Sequence, residues 1–170
     1  TEQTWRQFLR EMVANLEVPG HEDEIADRMH QVLARTRPEY VPYPEAPAVL
    51  EELRRRGFRL AVVSNWEPDL PEVLDRAGLR GYFDAVVASA LVGAAKPDPR
   101  IFQVALDAVG VRPAEAVHVG DSYEADVRGA RAAGLHPVLI DRDRVFQDVD
   151  CDRIHDLREL LPLLDRLGTR

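Results

Sequence analysis

The stretch Ala116-Val117-His118-Val119-Gly120-Asp121-Ser122, followed four residues later by Asp126, changes character within a few positions. Its apolar opening reads as a short buried strand, and Gly120 lets the backbone turn sharply at the carboxyl end. Asp121 stands at that end, and residues 122–133 read as a helix closed by Gly134, with Asp126 just over one turn in. Acidic residues at a helix start are stabilised by its dipole, and two carboxylates gathered there are also hard oxygen ligands of the kind Mg2+ accepts. Both readings require the same local order of strand, turn and helix.

Outward from this stretch the alternation repeats. Pro137-Val138-Leu139-Ile140 reads as the next strand, with a last helix near 156–167. Upstream lie the runs Phe58-Arg59-Leu60-Ala61-Val62-Val63-Ser64 and Ala85-Val86-Val87-Ala88, separated by a helix around 70–78 and followed by one over 99–109. Pro47 opens a further helix through Leu50 and Leu53; Glu51/Arg55 and Glu52/Arg56 are spaced i, i+4, and Gly57 is placed to end it. Short continuous apolar strands alternating with helices predict an α/β fold, a doubly wound parallel sheet with helices on both faces. Ligands of such sheets bind at the carboxyl ends of the strands. Residues 1–40 read instead as two helices, one striped by Trp5, Phe8, Leu9, Met12, Val13 and Leu16, the other, over 22–35, by Ile25, Met29, Val32 and Leu33. The expected division is therefore 1–40 and 41–170.

Composition narrows the function classes. The 170 residues are 45% hydrophobic and 31% charged with a net charge of −8, which suits a folded domain and argues against broad nucleic-acid binding. No apolar run reaches the roughly 18 residues of a membrane span, and Thr1-Glu2-Gln3-Thr4-Trp5 lacks the pattern of a signal peptide. With Cys151 as its single cysteine the chain is expected in the cytoplasm, without disulfides. Its basic residues are 21 arginines and one lysine, Lys96. A compact ammonium does what a planar guanidinium cannot, so Lys96 is a functional candidate.

Ser64 and Asn65, at the carboxyl end of their strand, can donate hydrogen bonds to phosphate oxygens, although Ser-Asn is also ordinary turn chemistry. In Ala95-Lys96-Pro97-Asp98-Pro99, Pro97 holds Lys96 extended, Asp98 is a natural N-cap and Pro99 suits the first helical position. Lys96 thus lies just ahead of a helix start, placed to neutralise a phosphate or keep an acid ionised. His118 reads as a core residue. His21, His30, His136 and His155 show no ligand spacing, and Cys151 has no partner that would mark a nucleophile.

In the order Ser64-Asn65, Lys96, Gly120-Asp121 and Asp126, the chain resembles the haloacid dehalogenase-like hydrolase superfamily from that family's second motif onward. The segments that carry the resemblance are residues 57–65, Lys96-Pro97-Asp98-Pro99, and Gly120-Asp121-Ser122 with Asp126, Gly129 and Ala130. It implies a Rossmann-like core over 41–170 and a partial helical cap over 1–40. By position, Ser64, Asn65 and Lys96 would bind phosphate, Asp121 and Asp126 would hold Mg2+, and Lys96 and Asp121 would act in catalysis on a small phosphorylated substrate. The family's first motif, a strand ending in Asp-x-Asp-Gly-Thr/Val whose first Asp is the nucleophile, would precede the cap and is not found here. Thr1 is a residue after which an initiator Met is normally trimmed, so a native start and a fragment are both open. Asp141-Arg142-Asp143 follows a strand as that motif does, but Arg144 and Val145 replace its small turn. The resemblance therefore implies a phosphate-ester hydrolase of weak activity or non-standard route; the alternative is an inert binding module that keeps the phosphate pocket. Dehalogenation needs the same missing Asp.

That motif's strand would lie between the strands ending at Ser64 and Val119, leaving their inner edges unpaired. They must then close on each other or be covered by another subunit. With the stripe on residues 1–40 short of neighbours, a homodimer through those residues is expected.

Overall fold

The protein, seen in a computed structural model, is described over residues 21–35 and 40–168. The stripe expected from Trp5 to Leu16 lies outside the described residues. The chain divides into two compact units, Thr1–Tyr40 and Val41–Arg170. In the first, helix α1 (Glu22–Arg35) buries Ala26 with Ile25 and Met29 partly buried beside it, while Val32 stands exposed.

The second unit alternates as its sequence predicts. Helix α2 (Ala46–Arg55) carries Pro47 in its first turn and ends ahead of Gly57, whose φ of 86° favours glycine. Of the two expected acid–arginine pairs, Glu52 takes both arginines, Arg55 and Arg56, each at 2.7 Å. Strand β1 (Ala61–Ser64), helix α3 (Leu70–Arg76), strand β2 (Ala85–Ala88), the short helix α4 (Ser89–Val92) and helix α5 (Pro99–Val109) follow. Strand β3 (Val117–Gly120) leads into a π-wound segment, Tyr123–Arg128, which continues as helix α6 (Gly129–Ala132). Strands β4 (His136–Ile140) and β5 (Asp152–Ile154) and helix α7 (Leu160–Leu167) complete the unit. β5 escapes the sequence pattern because Asp152-Arg153-Ile154 offers one apolar residue. Among the described residues no helix is long and apolar enough to cross a membrane.

All observed pairing is parallel: β1 with β2, β3 with β4, and β4 with β5. Helices cover both faces. On one, Val49 and Leu53 of α2 and Leu160, Leu163 and Leu164 of α7 pack with Val138 and Ile154. On the other, Ile101, Phe102 and Ala105 of α5 pack with Val87 and Ala130. The sheet itself is in two pieces, β1-β2 and β3-β4-β5, and no ladder joins β1 to β3. The two strands have therefore not closed on each other; a cavity of about 880 Å3 separates them.

Asp84, just ahead of β2, ties the first piece together. Its carboxylate accepts from the Leu60 amide at 2.8 Å, from Arg54 of α2 at 2.8 Å and from Arg59 at 3.1 Å. The Leu60 amide, then the Arg54 guanidinium, hold its pKa down at about 2. A carboxyl depressed on folding stabilises above its unfolded pKa of about 3.9, and that stability disappears as pH falls through the folded value. Asp84→Asn is expected to lower Tm at neutral pH by about 2–4 °C and to flatten the fall in Tm between about pH 4 and about pH 2. Superimposable pH profiles of the two proteins would show that Asp84 carries none of the acid sensitivity.

Candidate functional site

The carboxyl ends of β1 and β3 meet through Lys96. Asn65, the residue after β1, uses both ends of its side-chain amide on the Lys96 backbone, accepting from the amide nitrogen at 2.7 Å and donating to the carbonyl at 3.0 Å. The Lys96–Pro97 bond is cis. Asp98 caps α5 by accepting from the Arg100 amide at 2.9 Å, and Pro99 opens that helix as its sequence predicts. The lysine is thus fixed from both sides of its own backbone. Asn65, expected to donate to phosphate, uses one of its two amide N–H donors on the Lys96 carbonyl.

The Lys96 ammonium donates to Oδ1 of Asp126 at 2.6 Å, and Nε2 of His118 meets the same oxygen at 2.8 Å. Oδ2 accepts from the Ser122 amide at 2.9 Å. Asp126 is 3% exposed. A charge so buried persists only when paired and hydrogen-bonded. Burial alone pushes its pKa up, but the hydrogen bonds from His118 and Lys96, the lysine's charge and the Ser122 amide outweigh it. The carboxyl sits well below the ordinary carboxylate range.

Local chain geometry explains how a helix residue reaches inward here. The Ser122 hydroxyl accepts from the Ala125 amide at 3.1 Å, and the Ser122 carbonyl from the amides of both Asp126 and Val127, at 2.8 and 3.3 Å. The five-residue reach to Val127 belongs to a π turn, a widening frequent at functional sites. Gly120 supplies the room: a Cβ there would lie 2.1 Å from Cγ of Asp126. The residue that reads as a sharp turn is needed for close approach of a side chain.

His118, read from sequence as a core residue, stands edge-on to Phe102 at 4.9 Å between ring centroids and turns its other side to Asp126. No local signal marks this role, because a strand residue and a helix residue meet only in the folded chain. Ser64 and Asp121 stand at the ends of β1 and β3, and neither side chain has a hydrogen bond or ion pair among the described residues. Asp141 is 2% exposed and accepts from the amides of Val145 at 2.9 Å and Phe146 at 3.3 Å. It closes a turn, a structural use for the first of the two acids that follow the strand.

For a metal, the two carboxylates expected to share it differ. Both oxygens of Asp126 are committed to Lys96, His118 and the Ser122 amide, whereas Asp121 is exposed with its lone pairs open. Among the described residues no group of three or more His, Cys, Asp or Glu side chains is gathered for a metal. Mg2+ is commonly held by one or two carboxylates with phosphate oxygens and waters completing the octahedron. Asp121 fits that smaller role.

Residues 2–134 match the profile of the haloacid dehalogenase-like hydrolases. The phosphoserine phosphatase of Thermus thermophilus is 45% identical over 162 residues, covering 92% of this chain and 65% of that protein. The glyceraldehyde 3-phosphate phosphatase of Methanopyrus kandleri is 43% identical over 136 residues, covering 75% and 58%. The crystal structure of the HAD phosphatase from Thermococcus onnurineus superposes with a TM-score of 0.69 at 27% identity, covering 100% of this chain and 93% of that one. The chain spans 65% and 58% of the length of these two curated relatives.

The different settings of the two aspartates are separable by stability. Asp126→Asn leaves Lys96 without its anion and is expected to cost about 3 kcal/mol or more, whereas Asp121→Asn should stay within about 0.5 kcal/mol of the parent. Urea unfolding at neutral pH measures both, and equal costs would contradict the division of roles.

Proposed function

The chain belongs to the haloacid dehalogenase-like hydrolase family, and from that premise we propose that it is a Mg2+-dependent hydrolase of small phosphate esters. The observation that supports this most is the setting of Lys96, the sole lysine, held from its backbone by Asn65 and from its ammonium by Asp126. An ammonium has three donors, and Asp126 takes one. The others are available to phosphoryl oxygens, and a cation already fixed in place needs no reorganisation as charge builds on them. Asp126, whose pKa its hydrogen bonds hold low, keeps the ammonium aimed. The Ser64 hydroxyl is a second donor at the end of β1. Asp121 would hold the Mg2+, which when bound neutralises phosphoryl charge. Phosphoserine and glyceraldehyde 3-phosphate, named for the relatives, are both phosphate monoesters and support that substrate class here. With Asp141 engaged by the amides of its own turn, the reading gives it no part in the attack and takes the activity of these 170 residues as weak or of a non-standard route. The same reading takes residues 1–40 as part of a helical cap that contributes to a homodimer.

Hydrolysis of p-nitrophenyl phosphate tests the proposal. Activity should depend on Mg2+, fall by about a hundredfold or more in Lys96→Ala, and lose its Mg2+-dependent part in Asp121→Asn. Activity surviving both substitutions would place the chemistry elsewhere. A complete lack of turnover on several phosphate esters, with inorganic phosphate still raising Tm through Lys96, would favour the inert binding module. Light scattering checks the assembly: a monodisperse monomer at high micromolar concentration overturns the homodimer.

A further inference from the structure

Resting on the assignment of Lys96 as the cation that meets phosphate, we propose that His118 is its positioning residue: through Asp126 the imidazole sets the direction in which the ammonium points. Strand β3 alternates its side chains between the two covering layers. Val117 and Val119 pack on the side of α2 and α7, while His118 meets Phe102 of α5. The layer around Phe102 is otherwise apolar, made of Val87, Ile101, Ala105 and Ala130. His118, with 12% of its side chain exposed, carries two ring nitrogens into that layer, where a polar group costs stability unless it is bonded. Nε2 meets Asp126 at 2.8 Å, and among the described residues Nδ1 has no hydrogen-bond partner. An apolar side chain would serve packing as well, so the bond to Asp126 is what a histidine adds.

The carboxylate only accepts, so Nε2 carries its proton towards Oδ1. Each carboxylate oxygen offers a pair of in-plane lone-pair sites. His118 takes one site on Oδ1, and the Ser122 amide holds Oδ2 at 2.9 Å. What is left to the ammonium is the other site on Oδ1, where it donates at 2.6 Å. That bond fixes the axis of the ammonium and turns its remaining N–H donors away from Asp126. Without the imidazole, a second site opens on the same oxygen and the ammonium has no single direction. Asn65 does not compensate, because it holds Lys96 only at its backbone and the side chain beyond is a flexible stem. The cation would stay paired but would no longer be aimed.

The single lysine makes the test direct, since protein carrying isotopically labelled lysine gives one ammonium resonance, that of Lys96. Inorganic phosphate, titrated against this resonance at neutral pH with Mg2+ present, gives an affinity without any need for turnover. His118→Phe keeps a ring edge-on to Phe102 and removes the donor; it should weaken phosphate by about tenfold. His118→Gln gives up the ring but keeps an N–H donor near the place of Nε2, and should stay within about threefold of the parent. His118→Asn, too short to reach Oδ1, should match His118→Phe and takes its place if the phenyl variant does not fold. The reverse order, with Phe tolerated and Gln weakened, would show that His118 only packs, and would overturn the proposal. Equal affinities in the parent and every variant would overturn it too, while leaving the phosphate site in place. A parent resonance that ignores phosphate would instead overturn the assignment of Lys96 and this proposal together.

Discussion

The ion pair between Lys96 and Asp126 sits where the two pieces of the sheet come together. Lys96 belongs to the chain between β2 and α5, Asp126 to the π-wound segment after β3, and no strand ladder spans the distance. The pair is short, at 2.6 Å, and both side chains are largely out of water, at 12% and 4% exposure. Under those conditions neither charge tolerates loss of the other, because the remaining one would be buried alone. The surrounding residues serve that constraint: Asn65 clamps the lysine's backbone, His118 and the Ser122 amide share the carboxylate, and Gly120 lacks the Cβ that would exclude it.

Packing beneath the pair has the same economy of space. A Cβ on Gly129 would lie 2.9 Å from both the Phe102 ring and the Pro97 backbone. The start of α6 therefore presses directly on α5 and on the turn that carries Lys96. Phe102, 1% exposed, in turn supports His118 edge-on. The apolar core and the charged site are one continuous arrangement, and an enlarged core residue would move the lysine. A guanidinium in place of Lys96 is bulky and planar and would not fit a single carboxylate oxygen shared with an imidazole, which gives a reason for one lysine among 21 arginines.

The division of the sheet shows how much of this fold is held by its helices. Each face is closed by side chains from helices, so the two pieces keep their places across an open cavity. Hydrophobic contact is non-directional and tolerates such an opening; strand edges are directional and do not.

Much of this was legible in the residues themselves. Strand–helix alternation, the Pro and Gly boundaries of α2, the Pro start of α5 and the parallel sheet all follow from periodicity, capping and turn chemistry, which act over a few neighbouring positions. The family, too, was legible, because its motifs are local. The roles of Asn65, His118 and Asp126 were not. Each depends on a partner 8 to 31 residues away in sequence: the Asn65 amide clamps the Lys96 backbone, and His118 and Lys96 meet the Asp126 carboxylate. Short-range preference fixed the elements; only the packed chain, where burial obliges every polar atom to find a partner, decided which side chains meet.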